Sequence, residues 1–356
     1  MRHWISVYPP VSPSVFFRRP RQELPFPLAD PRCRVFGRAR HGLWQAVRAY
    51  GFESGDEVLI PDYHHGSEVE ALVRTGLRPR FYGCDDQLEP DLAQLEQLLN
   101  PRVRILYLIH YLGFPQDVLR WRRWADAHRL LLVEDAAQSW LSERDGVSIG
   151  SLGDIAIFCL YKTIGLSAGG AVVSSPPVDP PVGVPGRGVR DLGFSIRRWL
   201  RQRWDPRQSY ARPTDVSDFE LGDPGSAPTR AAMFVVAREA DPAIPLRRRA
   251  NYRALLNDLR SFVPEPFSTL PDGASPLQLP IQVRDKPAVL ERLAQAGVEG
   301  ANMWPTAHPL VEDDQSQRTR VLRSTLVGLP VHHGLGESEL AQVAQAARSA
   351  LAGIHS

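Results

Sequence analysis

The chain of 356 residues is 43% hydrophobic, long enough to bury a substantial core and to divide into two domains or one large α/β domain with a smaller companion. Its 42 basic and 40 acidic residues leave a formal charge of +2, which offers nucleic acid no overall electrostatic footprint. Cys33, Cys84 and Cys159 are too few and too far apart for a disulfide framework or a thiolate zinc site, and no uninterrupted apolar stretch reaches membrane-spanning length. A soluble cytoplasmic protein without metal, nucleic acid or membrane is the expectation.

The first forty residues are rich in proline and arginine and hold no long periodic segment. Gly42 to Tyr50 reads as a short helix ended near Gly51, and Asp56 to Pro61 as a brief apolar strand. A helix is expected at Glu68 to Leu72 and a strand at Arg80 to Tyr82. The next helix is expected at Asp91 to Leu99, where Leu92, Leu95, Leu98 and Leu99 keep helical spacing. The apolar run Ile105 to Ile109 follows, with Gly113 placed to turn the chain. Val118 to Arg129 predicts an amphipathic helix, and Leu130 to Val133 a strand apolar on both faces that ends in Glu134-Asp135. Helices alternating with short, continuously apolar strands predict a mostly parallel sheet covered on both faces. Functional side chains in that architecture gather beyond the carboxyl ends of strands, where Asp62, His110 and Asp135 stand.

Asp154 to Leu160 and Gly170 to Ser174 read as two further strands, separated by a loop containing Lys162. Pro177 to Pro185 is a rigid connection out of the large domain. Arg187 to Arg207 is arginine-rich, either a surface helix or a local anion site. Helices at Thr229 to Arg238 and Leu246 to Leu259, a strand at Leu277 to Val283, and helices at Pro287 to Ala296 and Glu337 to Leu351 predict a smaller α+β unit. The expected division is 1–180 for the large domain with its N-terminal arm, 181–245 for a divergent connecting region that is also a candidate dimer contact, and 246–356 for the small domain. No fixed-period repeat is present.

Lys162 precedes Gly165, Gly169 and Gly170, which permit backbone to approach a ligand closely. A partly buried lysine with a lowered pKa can form an imine with an aldehyde cofactor; a lysine beside a strand end can equally face solvent. Asp135 can cap the next helix, or pair with a pyridinium nitrogen and strengthen that ring as an electron sink. Gln138 shares its side if the segment begins a helical turn.

Four segments occur in order: Ser54-Gly55-Asp56-Glu57-Val58-Leu59-Ile60-Pro61, His110-Tyr111-Leu112-Gly113, Val133-Glu134-Asp135-Ala136-Ala137-Gln138, and Gly150-Ser151-Leu152-Gly153-Asp154. The last leads through Lys162 to Gly169-Gly170-Ala171-Val172-Val173. Together they resemble the DegT/DnrJ/StrS group of sugar aminotransferases, over residues 35–175 and again, weakly, at Leu329 to His332. The resemblance implies an α/β type I pyridoxal-phosphate transferase fold, with a large, mostly parallel sheet domain and a smaller α+β C-terminal domain. It also implies pyridoxal 5'-phosphate as cofactor, glutamate as amino donor, a nucleotide-linked keto sugar as acceptor, and a homodimer with the cofactor near the subunit boundary. Lys162 would carry the cofactor as a Schiff base, Asp135 would serve the pyridine nitrogen, and Gln138 would lie near the phenolic oxygen. His65 takes the place of the ring-stacking aromatic residue, or His64 if the register shifts.

The chain departs from this pattern at several positions. Cys159 stands where the family has a phosphate-holding serine, and Asp154 to Lys162 is shorter than usual. Counting forward from Asp154 brings Ile164 to the lysine position, whereas counting back from Gly169-Gly170 brings Lys162. The phosphate loop becomes Gly37-Arg38-Ala39-Arg40-His41-Gly42, where amides at a helix start would be helped by charge-assisted bonds from Arg38 or Arg40. The family's partner-reaching asparagine–arginine segment is not recognisable between Arg187 and Arg230. Trp304, His308 and His332, near prolines in the terminal region, are candidates for substrate contact or for filling turns. Rival readings are a pyridoxal-phosphate enzyme acting on another amino acid or ketone, and a non-catalytic cofactor-binding regulatory protein.

Overall fold

The computed structural model describes residues 4–182, 199–200 and 215–352. The chain opens with β1 (Arg34–Phe36), α1 (Ala39–Ala49), β2 (Glu57–Pro61), α2 (Ser67–Val73), β3 (Arg78–Tyr82), α3 (Leu92–Leu98) and β4 (Val103–Ile109). It continues with α4 (Val118–Ala127), β5 (Leu131–Asp135), a small hairpin of β6 (Glu143–Arg144) and β7 (Val147–Ser148), β8 (Ile155–Cys159), α5 (Leu160–Ile164) and β9 (Gly170–Ser174). Seven of these strands form one sheet in the order β1-β9-β8-β5-β4-β2-β3. Strands β8, β5, β4, β2 and β3 are mutually parallel, and β9 runs antiparallel to both its neighbours.

Side-chain alternation explains the layering. In β4, Ile105, Tyr107 and Ile109 enter one hydrophobic core, and Leu106 and Leu108 the other. In β8, Ile155, Ile157 and Cys159 join the first core while Ala156 and Phe158 join the second. The first core is closed by α1 and α2 together with the C-terminal region. The second is closed by α4, by α6 (Arg230–Glu239) and by Val11 and Val15 of the N-terminal arm. The short strands are apolar on both faces because both faces are covered.

Lys162 lies in the helix α5, not in the expected loop. Leu160 and Ile164, four residues apart, both enter the second core and hold this single turn against the sheet. Gly165 ends it with φ 70°, and a Cβ there would stand 1.7 Å from the Pro9 carbonyl oxygen. The N-terminal arm therefore passes directly beside the lysine helix.

Beyond α6 come α7 (Ile244–Leu259), β10 (Gln278–Gln282), α8 (Lys286–Gln295), β11 (Ala301–Asn302), α9 (Gln317–Thr325), β12 (Leu326–Pro330) and α10 (Glu337–Ala352). Antiparallel β10-β12-β11 form the smaller sheet. Ile5 donates its N–H to Gly297 and bridges to Val298, so the start of the arm lies against this smaller unit. Strand β12 escapes the sequence pattern because Gly328 and Pro330 interrupt its apolar run. Gly328 is required there: a Cβ would meet Gln278 Oε1 at 2.1 Å.

The arginine-rich stretch 187–207 lies outside the described residues, apart from 199–200. Among the described residues, no helix is long and apolar enough to cross a membrane.

Candidate active site

Strand β5 ends in two carboxylates that point to opposite sides, as a period of two requires. Glu134 is fully buried and accepts hydrogen bonds from the N–H groups of Gly150, Leu152 and Gly153 at 2.8, 2.9 and 2.5 Å. The Gly150-Ser151-Leu152-Gly153 motif is thus a cradle for Glu134. His110 Nδ1 accepts from the Gln116 N–H, so its Nε2–H donates to Glu134 at 3.1 Å. Asp62 is likewise structural, accepting from the Ser316 N–H and the Thr319 hydroxyl, each at 2.7 Å.

Asp135 faces the other way, into a cavity of about 280 Å³. The Tyr107 hydroxyl and the Ala137 N–H each donate to its carboxylate at 2.8 Å. Burial, and then the Glu68 carboxylate, push Asp135 up to about 6, against the Ala137 amide, the Tyr107 hydroxyl and Lys162. Lys162 borders the same cavity from α5. Burial opposes its charge, while Cys159, Tyr161, Tyr8 and Asp135 favour it, and the net direction is upward. Thiols and phenols carry charge only above neutral pH, so near neutrality Asp135 is the counterweight that matters.

The two registers for the lysine are thereby separated: Lys162 reaches the cavity, and Ile164 is buried in the second core. Arg38, Ala39 and Arg40 bring the start of α1 to the cavity, and Cys159 adjoins them at the end of β8. A Cβ on Gly170 would lie 2.0 Å from the Ala39 nitrogen, which is why this helix start can sit so close to β9. Arg40 donates to the carbonyls of Leu221 and Asp218 at 3.2 and 3.3 Å, and the Arg38 guanidinium lies 5.4 Å from the Tyr161 ring centre. Gln138 accepts from the Leu112 N–H at 2.9 Å, which leaves its NH₂ end for the cavity.

His65 borders the cavity, its ring edge-on to Phe219 and Trp304 at 5.9 and 6.5 Å between centres. Burial, reinforced by Lys162 and Arg40, lowers its pKa to about 3, so the imidazole is neutral. Trp304 is also in the lining.

Three expected residues are placed elsewhere. His64 is fully buried, bonds the Pro61 carbonyl through Nδ1 at 2.8 Å and stacks on Phe81. His308 meets Glu70 at 3.5 Å and accepts from the Leu310 N–H. His332 Nε2 is 3.1 Å from the Ser6 carbonyl, anchoring the arm. None of the three borders the cavity.

The lining also includes Tyr8, Ser67, Glu68, Tyr161, Gln278 and Asn302, none of them expected there from the sequence. Glu68 had a local signal, a carboxylate in the first turn after Gly66. It folds back to accept from the N–H groups of His65 and Gly66 at 2.9 and 3.2 Å. The others arrive through long-range packing. Three shielded atoms of the lining have no hydrogen-bond partner: His65 Nδ1, Gln278 Oε1 and Asn302 Oδ1. Unmet polar atoms around an amine, a buried carboxylate and an arginine-flanked helix start fit a phosphorylated pyridine aldehyde.

The profile of the DegT/DnrJ/EryC1/StrS aminotransferase family matches residues 32–178. The match covers somewhat less than half of the chain, which is similar to the family over those residues. The chain's fold is that of the type I pyridoxal-phosphate transferases. The chain is 27% identical over 337 residues to dTDP-4-dehydro-2,3,6-trideoxy-D-glucose 4-aminotransferase of Saccharopolyspora spinosa, covering 88% of this chain and 83% of that one. Other curated relatives align over shorter stretches, from 33% to 46% of their own lengths. The aminotransferase TlmJ of Streptoalloteichus hindustanus superposes with a TM-score of 0.67 at 21% identity, over 91% of this chain and 87% of its own. NtdA of Bacillus subtilis, solved with bound cofactor PMP, gives 0.65 at 18% identity, over 90% of this chain and 73% of its own.

Proposed function

We propose that this chain is an aminotransferase that binds pyridoxal 5'-phosphate in the cavity and moves an amino group, from glutamate, to the carbonyl of a nucleotide-linked keto sugar. The observation that carries the reading is the meeting of Lys162 and Asp135 at one cavity from two different strand ends. The name of the Saccharopolyspora spinosa relative supports the acceptor class, and the PMP in the Bacillus subtilis enzyme supports the cofactor. When bound, the cofactor would supply an electron sink for breaking the Cα–H bond of an amino substrate. Lys162 would anchor it through Nζ, Asp135 would serve its ring nitrogen, and Gln138 and His65 would flank it. The start of α1, with Arg38, Ala39, Arg40 and the adjoining Cys159, would receive its phosphate.

This chain's residues then divide the remaining work. The Lys162 amine, once free, takes a proton from the substrate Cα and returns it on the way to product. The Tyr107 hydroxyl and the Ala137 N–H keep Asp135 oriented and favour its ionised form. A homodimer with paired sites belongs to the same reading; light scattering on loaded protein checks it, and a fully active monomer would overturn it.

A spectroscopic titration tests the proposal. Protein mixed with the cofactor should gain the absorbance of a lysine-bound form, glutamate should bleach it, and a nucleotide-linked keto sugar should restore it. Stable binding with no bleaching by any amino acid would instead favour a regulatory protein.

A further inference from the structure

Arg323, on α9, is only 6% exposed, although it carries a guanidinium. Its Nη1 donates to the carbonyls of His64, Trp304 and Thr306 at 3.1, 2.9 and 3.1 Å. Nη2 donates to the Asp62 carbonyl at 3.0 Å, and Nε to Gln315 Oε1 at 2.8 Å. One planar group thus joins two segments that are 240 residues apart in the sequence: the turn after β2, which carries His65, and the turn after β11, which carries Trp304. Both residues border the amino-transfer cavity.

The Trp304 side is held with particular care. Its φ of 35° lies in the left-handed region that side chains other than glycine rarely adopt, so something must hold it there. Arg323 holds the Trp304 carbonyl. Lys286, itself 4% exposed, donates to the preceding carbonyl of Met303 at 3.0 Å and to that of Arg323 at 2.8 Å. The indole packs against Tyr63, Tyr111 and His65 at 5.0, 5.9 and 6.5 Å between ring centres. A buried guanidinium costs more desolvation than an apolar side chain of similar size, so packing alone does not account for it.

We propose that Arg323 is a positioning residue for amino transfer: it sets the separation of His65 from Trp304, and Trp304 in turn selects the acceptor. The inference rests on the cavity being the amino-transfer site. A compact amino acid needs little of that separation, whereas a sugar ring needs a wall to lie against. Acceptor turnover is therefore the sensitive half of the cycle.

The test uses the variants R323M, R323K, W304F, R323M/W304F and R323K/W304F of the full chain. For R323M, kcat/KM for the keto sugar nucleotide should fall by about tenfold or more, mostly through KM, and the donor half-reaction should stay within about threefold. R323K keeps the charge but loses the fork, and should recover part of the loss. In the W304F background, R323M should add less than about threefold, because the two residues act through one another. Equal losses in both half-reactions, or an undiminished further loss in W304F, would mark general scaffold damage and overturn the proposal. A second readout needs no activity. The emission of Trp304, taken as the difference between each protein and its W304F counterpart, should shift in apo R323M and shift less in R323K. An unshifted spectrum overturns the positioning claim even where amino transfer is intact. A shifted spectrum in a protein that transfers no amino group upholds the hold on Trp304 and overturns the function instead. Should R323M fail to fold, R323K carries the same comparisons at smaller amplitude.

Discussion

The two walls of the cavity are built by different means. Asp135, Gln138, Cys159 and Lys162 come from adjoining strands β5 and β8 and the turns that follow them, each within a few residues of a glycine or acidic motif. Tyr8, Gln278, Asn302 and Trp304 come from the N-terminal arm and the smaller sheet, and reach the cavity through contacts spanning the whole chain. The first wall carries the amine and the carboxylate, which can bond covalently to a reactant or hold its proton; the second carries rings and neutral polar groups that shape it and hydrogen-bond to it. Substitutions in the first should therefore cost chemistry, and substitutions in the second should cost selectivity.

The largest break in that contrast is Lys162→Ala. It should abolish the lysine-bound absorbance and lower transfer by about 10⁴-fold or more, since anchor and proton carrier go together. The fold should survive, because Leu160 and Ile164, not the amine, seat α5 in the core. Circular dichroism alongside single-turnover kinetics checks both halves. Asp135→Asn comes next, with transfer reduced on the order of 10²-fold through lost electrostatic support. It has a second consequence of opposite sign. A carboxyl raised from 3.8 to about 6 in the folded state contributes stability that is complete below pH 3.8 and lost as pH rises through 6. The apo variant should therefore melt above its parent at pH 7, by at most about 3 kcal/mol, and converge with it in acid.

What could be read in advance follows the same division. The strands β2, β4, β5, β8 and β9 are legible because burial on both faces forces unbroken apolar runs. Asp135 and Lys162 draw notice through the ordered motifs that resemble the DegT/DnrJ/StrS group, since strand ends and glycine spacing alone leave a structural role open for each, and both border the cavity. The helicity of α5 is not, since one turn leaves no periodicity to detect and its stability comes from the sheet. Tyr8 has no local signal at all; it is delivered by an arm whose path depends on Gly165 and on pairing with residues 297–298. His64, His308 and His332 show the converse error. Each has a chemically suggestive type and neighbourhood, yet each is consumed by a main-chain carbonyl, a capping contact or a carboxylate.

A finer test within the first wall is Tyr107→Phe, which removes one donor to the Asp135 carboxylate and nothing else at the cavity. The hydroxyl favours the ionised form, so its loss should raise the Asp135 pKa further above about 6. A hydrogen bond to a charged group contributes about 1.5–3 kcal/mol, which corresponds to about one to two pH units. The acidic limb of the rate profile should move up by that amount, with the alkaline limb unchanged. A profile that keeps its acidic limb in place would remove Asp135 from the pH dependence.

The smallest effect expected lies where the two walls' logic meets, at Cys159. This side chain ends β8 next to the start of α1, and burial raises its thiol pKa, so at neutral pH it is an uncharged, weak donor. A hydroxyl of nearly the same size donates better. If the start of α1 receives the cofactor's phosphate, Cys159→Ser should tighten cofactor binding by roughly fivefold, the equivalent of about 1 kcal/mol from one improved hydrogen bond. Arg38 and Arg40 supply the charge in both proteins, so the gain should persist at high salt while their own contribution is screened. Fluorescence titration of apo protein at two ionic strengths measures this directly. Unchanged or weaker binding by the serine variant would show that Cys159 borders the cavity without facing the phosphate, and would leave the arginines and the helix start as the anion site by themselves.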